Sequence, residues 1–202
     1  MIARYREIDV VDEFISFDKW SDVKPTMPKG QVPVLRLEDG TLMPESVDIA
    51  AYLAMLPTGT RQLVLDDTQR ELYALSQSLP LVMVNPLLNW FTIEQASPRL
   101  ADATADCLEV LRQCDARLVA GAGPFLTGSD RPGVGDLGIF HCVNVLEVLA
   151  PTALADFSPA FSVWKNAVAS LPGVREYLSE RPKCGTGAIG RDGTFAATRQ
   201  LD

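Results

Sequence analysis

The spacing of apolar residues divides the chain into two parts of different texture. Residues 1–56 alternate short helical runs with short runs rich in Val, Ile and Leu, which predicts the order α-β-α-β-β-α. Strands are expected at 10–17, 32–37 and 41–43, and Asp39-Gly40 supplies a hairpin turn between the last two. Helices are expected over 1–8, 18–24 and 46–56.

Residues 66–181 follow the helical period almost throughout. Pro80 and Pro86 are expected to break the first of these helices, and Ser97-Pro98 is a typical start for the next. The stretch 136–150 is apolar on nearly every face, which predicts a buried central helix. We therefore expect an α/β domain over 1–56, a linker at 56–60, an all-helical domain over 62–182 and a mobile tail at 183–202.

Composition and charge narrow the class of protein. The chain has 202 residues, of which 47% are hydrophobic and 22% charged, and its net charge of −8 argues against a nucleic acid or an anionic membrane as partner. No apolar run is long enough to span a membrane. Four scattered cysteines and a single histidine predict buried thiols in a reducing cytoplasm and no metal site.

Val32-Pro33 is the first candidate for binding chemistry. A cis bond before this proline would leave the N–H and C=O of Val32 free to pair with an extended peptide. The alternative is an edge-strand proline without a ligand.

The second candidate is Pro44-Glu45-Ser46, at the start of a predicted helix. Helix N-termini hold carboxylates, and Glu45 can accept a hydrogen bond from an ammonium group. The alternative is an ordinary N-cap serine. Trp20 and Lys24 share one helical face in a locally basic stretch, which suits an anionic ligand or, alternatively, a solvated surface.

Four stretches of the sequence resemble the cytosolic glutathione transferases, nearest the sigma class. They are residues 20–35, residues 38–53, Pro124–Gly128 together with 133–137, and 171–174 together with Arg181-Pro182. The resemblance implies a thioredoxin-like α/β domain beside an all-α domain. It also implies a homodimer that transfers the thiolate of glutathione, its co-substrate, to small electrophiles.

By this resemblance, seven residues would bind glutathione: Trp20, Lys24, Gln31, Val32, Pro33, Glu45 and Ser46. The electrophile would lie between the domains, where Met83, Trp90 and Phe91 are candidate lining residues.

The start of the chain departs from the family pattern. An ungapped match places Met1 within the family's first helix, so the expected fold lacks the first strand and the Tyr, Ser or Cys that this strand carries. Tyr5 falls on the helix and cannot replace it. No catalytic residue is therefore assigned, and two alternatives stay open: a non-catalytic glutathione-fold binding or structural protein, and a glutathione-dependent isomerase.

Asp136 matches a structural residue of the family, where it accepts hydrogen bonds at the start of the buried helix. Gly133 stands where the family has Ser or Thr, so we expect a weaker cap. His141, on the same apolar helix, is expected to be a core residue.

Overall fold

The computed structural model of the chain describes residues 1–13, 15, 19–79, 93–150 and 152–180. Over these residues it forms eight α-helices and one small sheet. The helices are α1 (Ile2–Arg6), α2 (Trp20–Val23), α3 (Ser46–Met55), α4 (Asp67–Ser78), α5 (Ile93–Ala120), α6 (Val134–Leu149), α7 (Pro159–Ala169) and α8 (Val174–Glu180). This is a small antiparallel sheet with helices, followed by a helical domain, as the resemblance implies. No helix in the described parts of the chain is long and apolar enough to cross a membrane.

The sheet consists of β1 (Val34–Arg36) and β2 (Leu42–Pro44), which run antiparallel. The turn between them holds Gly40 at φ 85°, a left-handed conformation that suits glycine. The strand predicted over 10–17 is wrong for the residues that can be described there, because none of 10–13 or 15 is in a strand. A strand needs a hydrogen-bonded neighbour, and these residues pair with none. Val11 among them is 84% exposed.

Arg6 fixes the position of α3. Its buried guanidinium donates to the carbonyl oxygens of Ala54 and Leu56 at the end of that helix. Carbonyls at a helix C-terminus carry partial negative charge and lack helical partners, so they stabilise a cation there. Arg6 thereby joins α1 to α3, whose first residue belongs to the candidate site.

One continuous hydrophobic core runs from α1 and α3 into the helical part. Its largest fully buried side chains include Trp164, Phe161, Leu111 and Leu137, and α4 packs closely along α6. The buried helix predicted at 136–150 is confirmed as α6. Helix α5 already includes Ile93, so Ser97 is not its N-cap, and Pro98 lies inside the helix, where it leaves one helical hydrogen bond unmade.

Asp136, which is fully buried, is held by four donors at the start of α6. The backbone N–H groups of Gly133 and Leu126 donate at 2.8 and 2.9 Å, the indole N–H of Trp164 at 2.9 Å, and the Gln69 amide at 3.1 Å. Gly133 supplies no side-chain oxygen, as expected, and the structure adds a contact that the sequence analysis did not foresee: the Gln69 oxygen accepts from the N–H groups of Gly135 and Asp136, at 2.6 and 3.2 Å. A side chain on α4 thus replaces the missing hydroxyl.

Candidate functional site

The pairing register of the sheet brings the two predicted binding segments together. Val34 lies opposite Pro44, so Val32-Pro33 and Glu45-Ser46 leave the ladder at the same end. The Val32–Pro33 peptide bond is cis, the isomer on which the peptide-pairing interpretation of this segment depends, and Val32 is 54% exposed. The sheet therefore presents an accessible backbone segment beside the start of α3.

Helix α3 begins without a side-chain cap. Ser46 is its first helical residue, and Glu45 precedes it with φ 71° and ψ 114°. Ser46 is therefore not the N-cap that the alternative supposed, and Glu45, which is at the cap position, accepts no hydrogen bond through its side chain. Non-glycine residues at positive φ concentrate at functional sites. The first N–H groups of α3 are thus available to an anion at the point where Glu45 turns the chain.

Glu45 forms an ion pair with Lys29. The ammonium nitrogen of Lys29 lies 2.6 Å from a carboxylate oxygen of Glu45. Both side chains are about half exposed or more, and the hydrogen bond to Glu45 is the main reason that the pKa of Lys29 is raised. Lys29, like Glu45, has a positive φ, of 56°. The sequence analysis noted only a locally basic stretch here and missed this pair.

The remaining predicted residues lie on the segment that precedes β1. Trp20 and Lys24 occupy one helical turn, since the N–H of Lys24 donates to the carbonyl of Trp20. The aliphatic part of Lys24 lies against Gly30, which is followed by the exposed Gln31. The short helical turn Pro28–Gly30 also contacts β2. The chain therefore brings the segment carrying Trp20, Lys24 and Gln31 back against the sheet.

A cavity of about 1020 Å³ adjoins the Val32 end of this site. Among the seven predicted binding residues, Val32 and Pro33 line it and the other five do not. The helical part contributes Tyr73, Gln77 and His141, which sequence analysis did not place at a site. Burial raises the pKa of Tyr73 to about 12, so its phenol keeps its proton at neutral pH.

Tyr5 and the described cysteines, which are candidate nucleophiles by residue type, are all buried. Tyr5 is buried on α1, as expected, and belongs to the core. The expectation of buried thiols is confirmed for Cys107, Cys114 and Cys142, whose pKa values are all raised by burial. Cys184 and the candidate lining residues Met83, Trp90 and Phe91 lie outside the described residues.

Two family models match the chain on either side of the linker. The model of the glutathione S-transferase N-terminal domain matches residues 3–56, and that of the C-terminal domain matches residues 94–181. The chain belongs to the glutathione S-transferase family. Its named relatives are transferases, so transferase chemistry is the activity that family membership supports.

One curated relative and several solved structures match this glutathione S-transferase over most of its length. The class-mu 28 kDa isozyme of Schistosoma mansoni is 25% identical over 184 residues, covering 87% of this chain and 85% of that protein. The structure of rat hPGDS complexed with a quinoline is 24% identical, with a TM-score of 0.71, and covers 90% of this chain and 88% of its own. Monomeric Na-GST-3 of the hookworm Necator americanus is 22% identical, with a TM-score of 0.69 and coverage of 90% and 89%.

Proposed function

We propose that this protein is a glutathione S-transferase that binds glutathione at the end of its small sheet and transfers the glutathione sulfur to small electrophiles. The observation that carries the proposal is the register of β1 and β2, which sets Val32-Pro33 beside Glu45-Ser46. One segment offers an accessible peptide backbone and the other offers an uncapped helix start. A tripeptide with a carboxylate and an ammonium group at one end matches that combination.

Each end of glutathione has a complementary partner in this arrangement. The γ-glutamyl carboxylate would accept hydrogen bonds from the first N–H groups of α3 and from the Ser46 hydroxyl. The adjacent ammonium group would bind the carboxylate of Glu45, exchanging with Lys29 for that position. The cysteinyl backbone would pair with Val32 and pack on Pro33.

The glycyl end would extend toward the segment that precedes β1. Lys24 supplies a positive charge for the glycyl carboxylate, while Trp20 and Gln31 flank it on the same segment. The aliphatic part of Lys24 lies along Gly30. Because the residue is exposed, its ammonium group is accessible to a ligand from solution. This basic end and the helix start that accepts a carboxylate would together fix the direction in which glutathione lies.

The reaction requires the sulfur of glutathione as a thiolate. A free thiol has a pKa near 8.5, so only a few per cent is ionised at pH 7. We assign no catalytic residue that lowers this pKa. The protein would then accelerate conjugation mainly by holding glutathione close to the electrophile.

Three further properties belong to the proposal. The domain limits are 1–56 and 62–182, with a tail at 183–202, and the class is the sigma-like one. The protein is located in the cytoplasm, in keeping with three buried free thiols. It forms a homodimer, to which the 37% exposed side chain of Leu75 on α4 would contribute. Leu79, which directly follows α4, is buried and adds nothing to this surface; Val82 and Met83 lie outside the described residues.

Titration of the purified protein with glutathione in a calorimeter tests the binding step. Conjugation of glutathione to a model aryl halide, followed by absorbance, tests the transfer step separately. We expect saturable heat with glutathione and none with a tripeptide of the same composition whose glutamyl residue is linked through its α-carboxyl group. Equal binding of both tripeptides would contradict the assignment of the helix start to the γ-glutamyl end.

A further inference from the structure

Lys29 and Glu45 approach each other from two different parts of the chain. Lys29 lies in the short helical turn Pro28–Gly30, and Glu45 lies between β2 and α3, sixteen positions later. Because this turn contacts β2, the ammonium nitrogen and the carboxylate oxygen come within 2.6 Å of each other. Asp48, in the first turn of α3, adds a second negative charge near Lys29. The N-cap position of α3 therefore has an ammonium group beside it.

The backbone is in an unusual conformation at both ends of this ion pair. Lys29 has a φ of 56° and Glu45 a φ of 71°, in the left-handed region that favours glycine. Among the described residues, Glu7 is the only other non-glycine residue with a positive φ. Such conformations are costly, and they cluster at ligand sites and in switch regions. The conformation of both partners therefore points to a role in binding.

A lysine gains little stability from a position beside a helix start. The N-terminus of a helix carries partial positive charge, which repels a cation and attracts an anion. Glu45 and Asp48 offset that repulsion, but the pair is exposed, with 64% of the Lys29 side chain and 48% of the Glu45 side chain accessible. Exposed ion pairs add little to stability and cost little to open. The ammonium group of a ligand can therefore take the place of the lysine.

The γ-glutamyl end of glutathione brings an ammonium group to the same position. Its carboxylate and its ammonium group are bonded to one carbon atom, so the two groups must bind side by side. In the proposed site the carboxylate accepts from the first N–H groups of α3, which places the ammonium group next to Glu45. The ammonium group of Lys29 occupies that position in the structure. Two cations repel each other at such a distance, so the lysine and the ligand compete for Glu45.

We propose that Lys29 is an internal competitor of glutathione, whose ammonium group holds the γ-glutamyl ammonium position on Glu45 and must leave it when glutathione binds. This inference rests on the proposed function and names a residue that regulates the same site. A ligand without an ammonium group leaves the ion pair intact. Lys29 therefore lowers the affinity for glutathione but not for such analogues, and it reduces the discrimination between them.

Calorimetric titration of Lys29→Met with glutathione and with deamino-glutathione, the analogue without the amino group, tests the competition. Methionine keeps the unbranched stem of lysine and removes its charge. We expect Lys29→Met to bind glutathione about two- to fivefold more tightly than the wild type, because no exposed ion pair has to open. Binding of the analogue should not become tighter. Glutathione has a net negative charge, so the loss of a cation by itself would weaken binding and cannot produce the expected gain.

Two further variants are matched controls. Lys29→Arg keeps the positive charge and should bind glutathione as the wild type does. Lys19→Met removes an exposed lysine from the start of the same basic stretch and should not bind glutathione more tightly. Weaker binding of glutathione by Lys29→Met would show that the lysine is a direct ligand contact and would overturn the competition. An equal change for glutathione and the analogue would overturn it as well.

The pKa of Lys29, measured by NMR from the carbon atom next to its nitrogen, follows the ion pair directly. The carboxylates of Glu45 and Asp48 raise this pKa, so it should fall in Glu45→Gln without any ligand. Saturating glutathione should lower it in the wild type, and deamino-glutathione should leave it raised. If glutathione binds and the pKa of Lys29 stays raised, the competition is wrong while the proposed function stands. If the wild type binds no glutathione, the proposed function is wrong and the competition with it.

Discussion

Gln69 and Asp136 form a buried pair in which a residue of α4 completes the cap of α6. The Gln69 amide donates to Asp136 at 3.1 Å, and its oxygen accepts from two N–H groups in the first turn of α6. A Cβ on Gly133 would overlap the side chain of Gln69. The glycine at the cap and the glutamine on α4 are therefore a matched pair, and the close packing of α4 on α6 follows from it.

Because Gln69 and Gly133 are a matched pair, replacing one of them should partly offset the loss of stability caused by replacing the other. Gln69→Ala leaves buried N–H groups unsatisfied and should cost about 2–4 kcal/mol of unfolding free energy. Gly133→Ser alone should also destabilise the protein because of the overlap. In the double variant the serine has room, and Gly133 already has the extended φ of −111° and ψ of 174° that an N-cap needs, so about 1 kcal/mol should return. Urea unfolding of the four proteins measures this; additive losses would contradict the account.

Glu45 is predicted to serve binding and not stability. Its ion pair with Lys29 is exposed, and such pairs contribute little to folding. Glu45→Gln should leave the unfolding midpoint unchanged but weaken glutathione binding by about tenfold, through loss of a hydrogen bond to a charged group. Glu38→Gln, on the exposed hairpin, removes the same charge and serves as control.

Deamino-glutathione distinguishes the partner of Glu45. This analogue lacks the ammonium group, so the wild-type protein and Glu45→Gln should bind it with equal affinity. A variant that weakens the analogue as much as glutathione itself would show that Glu45 acts elsewhere in the site.

The rate of conjugation should follow the ionisation of free glutathione. With no residue assigned to stabilise the thiolate, the rate at saturating glutathione should rise about tenfold per pH unit up to roughly pH 8.5. Initial rates with a model aryl halide between about pH 6 and 9 measure this. A plateau below about pH 7 would reveal a group within the chain that lowers the thiol pKa.

The proposed homodimer would use the partly exposed side chain of Leu75 on α4. Sedimentation velocity at micromolar concentration should give twice the chain mass of 22.0 kDa. Leu75→Lys should shift the protein to the monomer, while Val163→Lys, on α7, should not. A monomeric wild-type protein would contradict the homodimer and would instead resemble the monomeric hookworm protein Na-GST-3.

Local sequence signals predicted most of the fold. The Asp39-Gly40 turn, the register-defining strands on either side of it and the apolar faces of α3 and α6 lie close to where the pattern placed them. The segment 10–17 failed because β-propensity describes a fit to neighbouring strands, and the described residues there have none to pair with. The start of α5 was placed wrongly because a serine-proline pair marks a helix start only as a tendency, and here the helix runs through it.

The candidate site, too, was predicted only in part from the sequence. Short motifs singled out Val32-Pro33 as a candidate for a cis bond and predicted the helix start at Ser46, and the structure has both. The ion pair of Lys29 with Glu45 joins residues sixteen positions apart, and the Gln69 cap joins residues more than sixty apart. Only the three-dimensional packing reveals such pairs, although a glutamine on the apolar stripe of α4, one turn before Leu72, was a sign that it has a buried polar partner.

Calorimetric titration of glutathione into the wild-type protein, Ser46→Ala and Ser179→Ala tests the central claim most directly. Ser46 begins the uncapped helix α3, whereas Ser179 lies exposed on α8 and donates locally to the carbonyl of Glu176. The account predicts that the wild type and Ser179→Ala bind alike and that Ser46→Ala binds more weakly by about 1.5–3 kcal/mol, the value of a hydrogen bond to a charged group. Absence of binding by the wild type, or equal binding by all three proteins, would contradict the assignment of the glutathione site to the start of α3.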